Sequence, residues 1–223
     1  MFSDVKQRKE GIRIKHYMDG NSLKMYDKAY SEVGSLVRIE PTINEVSPFQ
    51  SYRPKEGEPG GEPAWRPMRR GIADLYRRAE VSQKAAERYA DALASVDDSR
   101  RLEELTKGLE QPTTLNGRSV RGLRLLREDN ALLLAISRGE FNLNGFRNRD
   151  VRELLHPGKL TDPAQAKRPM AAISRKLRML RAHGLIKKVN KTHRYLLTDH
   201  GRIVITALSA AQHATVSQLS KAA

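Results

Sequence analysis

Residues 169–202 read PMAAISRKLRMLRAHGLIKKVNKTHRYLLTDHGR. Met170, Ile173, Leu177 and Leu180 recur at helical spacing and form one apolar stripe, leaving Ser174, Arg175, Arg178 and Arg181 on the opposite or flanking faces. Gly184 supplies the helix stop, and Leu185 the apolar contact that follows such an end. Leu185 to Val189 and Thr192 to Leu197 then bracket Asn190-Lys191, a hairpin pattern carrying Lys187, Lys188, Lys191, His193 and Arg194. Thr198 is placed to cap a closing helix.

Charge follows the same stretch. No acidic residue lies between Asp162 and Asp199, whereas Lys167, Arg168, Arg175, Lys176, Arg178, Arg181, Lys187, Lys188, Lys191 and Arg194 do. A cationic surface on ordered elements suits a phosphate backbone. The whole chain, 223 residues with a formal charge of +15, belongs with proteins that meet polyanions.

Working outward, Asp162 and Pro163 are read as the cap and first turn of this helix, with Pro169 kinking or restarting it. Upstream, Leu125 to Arg138 reads as an apolar helix and Phe141 to Leu143 as an edge strand. Asn148 is expected to cap a further helix by its side chain, reaching about Leu155 before Pro157-Gly158. Asn116-Gly117 marks a tight turn between short extended pieces, after a short helix from about Asp98 to Leu109.

In the first half, Asp19-Gly20 favours a two-residue type I′ hairpin. That turn sets Ile14 opposite Met25 and His16 opposite Leu23 on an apolar face, and Lys15 opposite Lys24 and Arg13 opposite Tyr26 on a basic one. Leu36, Val37 and Ile39 supply a third short strand, and His16 is read as a buried structural histidine. Residues 48–67, rich in Pro, Gly and Glu, read as a mobile linker or long loop to which Trp65 adds an anchor. Met68, Ile72, Leu75, Ala79, Ala86, Tyr89, Leu93 and Val96 describe a helical stripe for core packing or a dimer seam, with a break at Val81-Ser82.

The expected fold is therefore α+β and mainly helical. Its divisions are a small antiparallel sheet region (1–47), the linker (48–67), a helical connecting and association region (68–122), a DNA-binding-type domain (123–213) and a flexible tail (214–223).

Over about Leu125 to Leu208 the chain resembles the winged helix-turn-helix superfamily, most closely MarR-like regulators. The resemblance rests on Leu177, Leu180, Gly184, Leu185 and Ile186, the basic hairpin, and Leu197-Thr198-Asp199-His200-Gly201-Arg202 in that order. It implies that the helix from Pro169 to His183 enters the major groove and that the hairpin is a wing, with Lys191 and Arg194 along the flanking backbone or minor groove. The hairpin is shorter than most MarR-like wings, and long dimerisation helices are not evident.

The whole chain also looks like the C-terminal portion of a family of uncharacterised bacterial proteins. That likeness rests on Asn21-Ser22-Leu23-Lys24-Met25-Tyr26-Asp27-Lys28, Val37-Arg38-Ile39-Glu40, Trp65-Arg66-Pro67-Met68-Arg69-Arg70-Gly71 and Gly145-Phe146-Arg147-Asn148-Arg149-Asp150. Its Tyr-Asp-Lys and Arg-Ile-Glu strands are loosely similar to replication initiators of phages and plasmids.

The function expected is DNA binding, as a transcription regulator or mobile-element accessory factor. Ser174, Arg175 and Arg178 would meet base edges or the groove, and Arg181, Lys187, Lys188, Lys191, His193 and Arg194 would meet phosphates. Double-stranded DNA is the expected partner, with a homodimer through the 68–96 stripe as a further expectation. The alternative is a fragment of a replication initiator or metal-dependent nuclease whose winged helix positions DNA. Asp27, Glu40, Glu45 and Asp74 are its candidate carboxylates, but their spacing demands no metal, and His16-Tyr17-Met18 lacks a second histidine.

Phosphate-loop, nucleophile-elbow and dinucleotide-turn motifs are absent, so enzymatic activity is the lesser reading and no cofactor is expected. With no cysteine, disulfides and thiolate metal sites are excluded. The start lacks a signal-peptide core and no run is long and apolar enough for a bilayer, so no membrane partner and a cytoplasmic location are expected.

Overall fold

The computed structural model describes residues 1–9, 11–30, 34–94, 100–157 and 163–215, and for 29, 30, 34, 35 and 163–169 the backbone alone. Among the described residues helix makes up 38% and strand 28%, so the expectation of a mainly helical protein is corrected to an α+β chain with a large N-terminal sheet. Two compact units divide at Ala90 and Asp91.

The first unit opens with strands β1 (Phe2–Arg8), β2 (Gly11–Met18), β3 (Asn21–Tyr30) and β4 (Gly34–Thr42), an antiparallel meander in that spatial order. Asp19 and Gly20 both take positive φ, 49° and 75°, as the tight turn requires. The register is the one the turn dictates: Ile14 faces Met25, His16 faces Leu23, Lys15 faces Lys24 and Arg13 faces Tyr26. The sequence leaves out β1, whose Phe2 and Val5 are both exposed and give no alternating apolar signal. On the inner face Leu23 and Met25 pack with Tyr89, and with the partly buried Ile14 and Ile39. Burying a side chain such as Leu23 stabilises by roughly 2 kcal/mol. His16 is structural: Ser3 Oγ lies 2.6 Å from its Nδ1 and Tyr89 Oη 2.9 Å from its Nε2.

The expected linker at 48–67 is a second hairpin, β5 (Gln50–Arg53) with β6 (Ala64–Pro67). Its prolines and glycines lie mostly in the connecting loop, so their composition concealed the paired flanks. Val46, Phe49 and Met68 bury beside Val81 under this hairpin. Trp65 faces Tyr52, their rings 5.5 Å apart, and stays 43% exposed, so it braces the hairpin from outside.

Helix α1 (Leu75–Ala94) begins later than the stripe predicts and does not break at Ser82. Its buried residues are Val81, Ala85 and Tyr89, at four-residue steps. Of the expected stripe, Met68 and Tyr89 are buried within the unit, whereas Ile72, Leu75 and Leu93 are exposed, and Val96 is outside the described residues. These side chains are divided between core and solvent and do not form one continuous seam.

The second unit continues with α2 (Leu102–Thr106), a hairpin of β7 (Thr113–Leu115) and β8 (Arg118–Val120), and α3 (Asn130–Ile136). It then runs through α4 (Phe141–Asn144), β9 (Phe146–Arg147), α5 (Asn148–Leu155) and α6 (Pro163–Ala182). The last elements are β10 (Ile186–Lys188), β11 (Arg194–Leu197) and α7 (Asp199–His213). Asn116 and Gly117 make the expected turn, with φ of 52° and 71°.

Three local readings are corrected. The apolar helix is only Asn130–Ile136, because the Asp129 carboxylate accepts from the Arg124 amide at 3.0 Å and holds 124–129 in turns. Phe141 to Leu143 is helical, ended by Gly145 at φ 67°, and the strand follows it. Asn148 does not cap α5; Asp150 accepts from the Arg147 amide at 2.7 Å instead. Asp162, the expected cap of α6, lies outside the described residues, and α6 runs through Pro169 as one helix.

Helix α6 buries Ile173, Leu177 and Leu180, and ends as the sequence predicts. Gly184 has φ 71°, its amide bonds the Arg181 carbonyl, and the Leu185 amide bonds the Leu180 carbonyl at 3.0 Å. Strands β10, β11 and β9 form one sheet in that order, with Lys188 opposite Tyr195 and Tyr195 opposite Phe146. Thr198 caps α7, its Oγ accepting from the Gly201 amide at 3.0 Å and lying 2.7 Å from the Gly184 carbonyl. Gly201 is required there because a Cβ would stand 2.1 Å from the Leu185 carbonyl oxygen.

Candidate nucleic-acid interface

Pairing of β11 with both β10 and β9 fixes the hairpin beside α6, and Asn148 fixes α5 against α6. The Asn148 amide donates to the Met170 carbonyl at 3.1 Å and to Ser174 Oγ at 2.8 Å. Ser174 and Arg175 are exposed, so the described first part of α6 is open to solvent.

The last two turns of α6 are not open. Arg178 and Arg181 are half-buried, and the Arg178 guanidinium donates to the Leu115 carbonyl in β7 at 3.4 Å. Met179 is only 4% exposed although it points away from the Ile173–Leu177 stripe. Ser119, Val120 and Arg121 line a groove with Ala172, Arg175, Lys176, Arg178 and Met179. The β7–β8 hairpin thus covers the outer face that sequence reasoning left bare.

On the second hairpin Lys187, Lys188, Lys191 and His193 are exposed. Lys191 sits at φ 58° in the turn. Arg194 is corrected from a phosphate contact to an internal residue: it is 3% exposed and donates to the Asn144 carbonyl at 3.2 Å. Arg194 lies on the central strand, opposite Arg147 of β9, and its guanidinium reaches the end of α4.

Four further cations that sequence reasoning did not assign lie in the segment from β8 to the start of α3, of which Arg121 lines the groove beside α6. Arg118, Arg121, Arg124 and Arg127 recur every third residue and all four are exposed. Their spacing was the available signal. Arg121 pairs with Asp129 at 3.0 Å and Arg124 with Glu128 at 3.3 Å. Lys176 Nζ lies 3.5 Å from the Asp129 carboxylate. Burial pushes the Asp129 carboxyl up, but the Arg121 side chain, the Arg124 amide and Lys176 outweigh it and hold the group below its ordinary range.

The candidate carboxylates of the first unit do not converge. By register Asp27 faces the inner side of the sheet, opposite Ile12 and Val37, whereas Glu40 faces the outer side opposite Lys24. Glu40 pairs with Arg38, Asp74 with Arg69 at 3.1 Å, and Glu45 accepts from the Ser47 amide. Among the described residues no group of three His, Asp or Glu is placed to hold a metal ion. Nor is any helix among them long and apolar enough to cross a membrane.

No family model, curated protein or solved structure matches the chain.

Proposed function

We propose that the second unit is a winged helix-turn-helix that binds double-stranded DNA, with the first part of α6 in the major groove and the β10–β11 hairpin as its wing. The observation that carries this reading is the element order α3, α4, β9, α5, α6, β10, β11 with strand order β10-β11-β9, in which Arg175 on α6 and Lys187, Lys188, Lys191 and His193 on the hairpin are all exposed. Ser174 and Arg175 approach base edges, and the hairpin cations meet phosphates. Exposed Arg118 on β8 and Arg127 in the turns before α3 add further charge to the unit. A role as transcription regulator or mobile-element accessory factor, in the cytoplasm, accords with this chemistry.

The test is binding of the full chain to random-sequence duplex, followed by fluorescence anisotropy over a salt series. The reading expects log affinity to fall linearly with log salt, with a shallower slope in Lys187→Gln/Lys188→Gln. Absence of duplex binding at low salt, or binding indifferent to these changes, overturns it. Selection from a random duplex pool then gives the site, and a palindromic consensus would mean a two-fold assembly.

A further inference from the structure

The outer face of the four-stranded sheet carries a pattern independent of the second unit. The register places Phe2, Asp4 and Lys6 of β1 on that face with Arg13, Lys15 and Tyr17 of β2. Lys24, Tyr26 and Lys28 of β3 join them, with Arg38 and Glu40 of β4. Both carboxylates are taken by arginines: Asp4 by Arg13 at 2.6 Å and Glu40 by Arg38. The lysines are therefore in excess.

Lys15 and Lys24 stand directly opposite each other, an arrangement that costs a sheet stability. Aromatic rings flank this pair. On one side Phe2, 55% exposed, stacks on Tyr17 with centroids 4.4 Å apart, and Lys15 Nζ lies 4.0 Å over the Tyr17 ring. On the other, Arg38 lies over Tyr26 at 6.0 Å. Tyr17 and Tyr26 are four residues apart in register, about 13 Å along the strands.

We propose that this face binds single-stranded nucleic acid. Phosphates lie on Lys15 and Lys24, and bases stack at the Phe2–Tyr17 and Tyr26 ends. Charge complementarity favours a polyanion, and an exposed Phe2 ring with half-buried Tyr17 and Tyr26 on either side of paired cations suits unpaired bases, whose faces a duplex hides. The proposal rests on the first unit alone and stands whether or not the second binds duplex.

The test is anisotropy of labelled oligo-dT and oligo-U with the full chain at near-physiological salt. Lys15→Gln/Lys24→Gln is the chosen charge variant because it relieves repulsion and leaves the fold intact, which thermal unfolding checks. It is expected to weaken single-strand binding about tenfold. Tyr17→Ala should weaken it at least about fivefold and Tyr17→Phe should retain it. Preference for one oligomer identifies DNA or RNA and supports the proposal either way. No binding to either oligomer overturns the proposal, as does binding unchanged in the lysine variant. Equal binding by Tyr17→Ala and Tyr17→Phe overturns the stacking and with it the proposal.

Discussion

The Arg178 guanidinium and the Leu115 carbonyl lie 3.4 Å apart, joining α6 to the β7–β8 hairpin within the second unit. An arginine spaced along a helix for groove contact is thus engaged by its own chain. Arg175, one turn earlier, is not covered in this way. If the proposed reading holds, the two differ: Arg175→Ala should weaken binding to a selected duplex by about 1–3 kcal/mol. Arg178→Ala should cost clearly less in affinity and show its effect in thermal stability instead. Titration of both variants on one duplex checks this, and equal affinity losses would place Arg178 at the DNA.

Lys188 and Arg194 separate in a similar way. Lys188 is exposed and Arg194 is buried against the Asn144 carbonyl. Lys188→Ala should lower the salt slope of duplex binding by about 0.9 and leave the urea midpoint in place. Arg194→Ala should lower stability by about 1–3 kcal/mol, because the Asn144 carbonyl loses its donor. A salt slope lowered by Arg194→Ala with unchanged stability contradicts the buried placement.

What the sequence made legible was local. Asp19-Gly20 gave a turn whose register follows from two residues, and Gly184 with Thr198 gave both ends of the connection from α6 to α7. What it concealed depended on partners distant in the chain. Strand β1 is held by pairing with β2 and carries no apolar alternation, and β5 and β6 are separated by a proline-rich loop. Arg194 and Lys188 look alike in sequence, and only the central position of β11 distinguishes them. Covering of Met179 and Arg178 by a hairpin some sixty residues earlier has no signature within α6 itself.

Gly201 tests the close approach of α7 to the strand start. A Cβ there would lie 2.1 Å from the Leu185 carbonyl oxygen, which is backbone and cannot rotate away. Gly201→Ala should destabilise the second unit by about 3 kcal/mol or more, with Thr198 losing its capping geometry. Gly145→Ala combines a 2.2 Å approach to the Tyr195 carbonyl oxygen with φ 67°, and should cost at least as much. Urea unfolding followed by circular dichroism measures both, and a change below about 1 kcal/mol for Gly201→Ala is incompatible with the observed packing.

Asp129 gives the acid limb of stability. Its side chain has no exposed surface, and it accepts from Arg121 and the Arg124 amide with Lys176 nearby. Burial alone would raise its pKa, but these partners depress it below the unfolded value. A depressed carboxylate contributes stability that is fully present above its unfolded pKa and is lost as pH falls through the folded one. Stability of the second unit should therefore decline below about pH 4, as the unfolded chain takes up a proton that the folded one resists. Asp129→Asn should flatten that decline. At neutral pH it should cost about 1–3 kcal/mol, because the Arg121 side chain and the Arg124 amide lose a charged acceptor. Urea midpoints of both proteins across the acid range decide the matter, and parallel curves would remove Asp129 as the source.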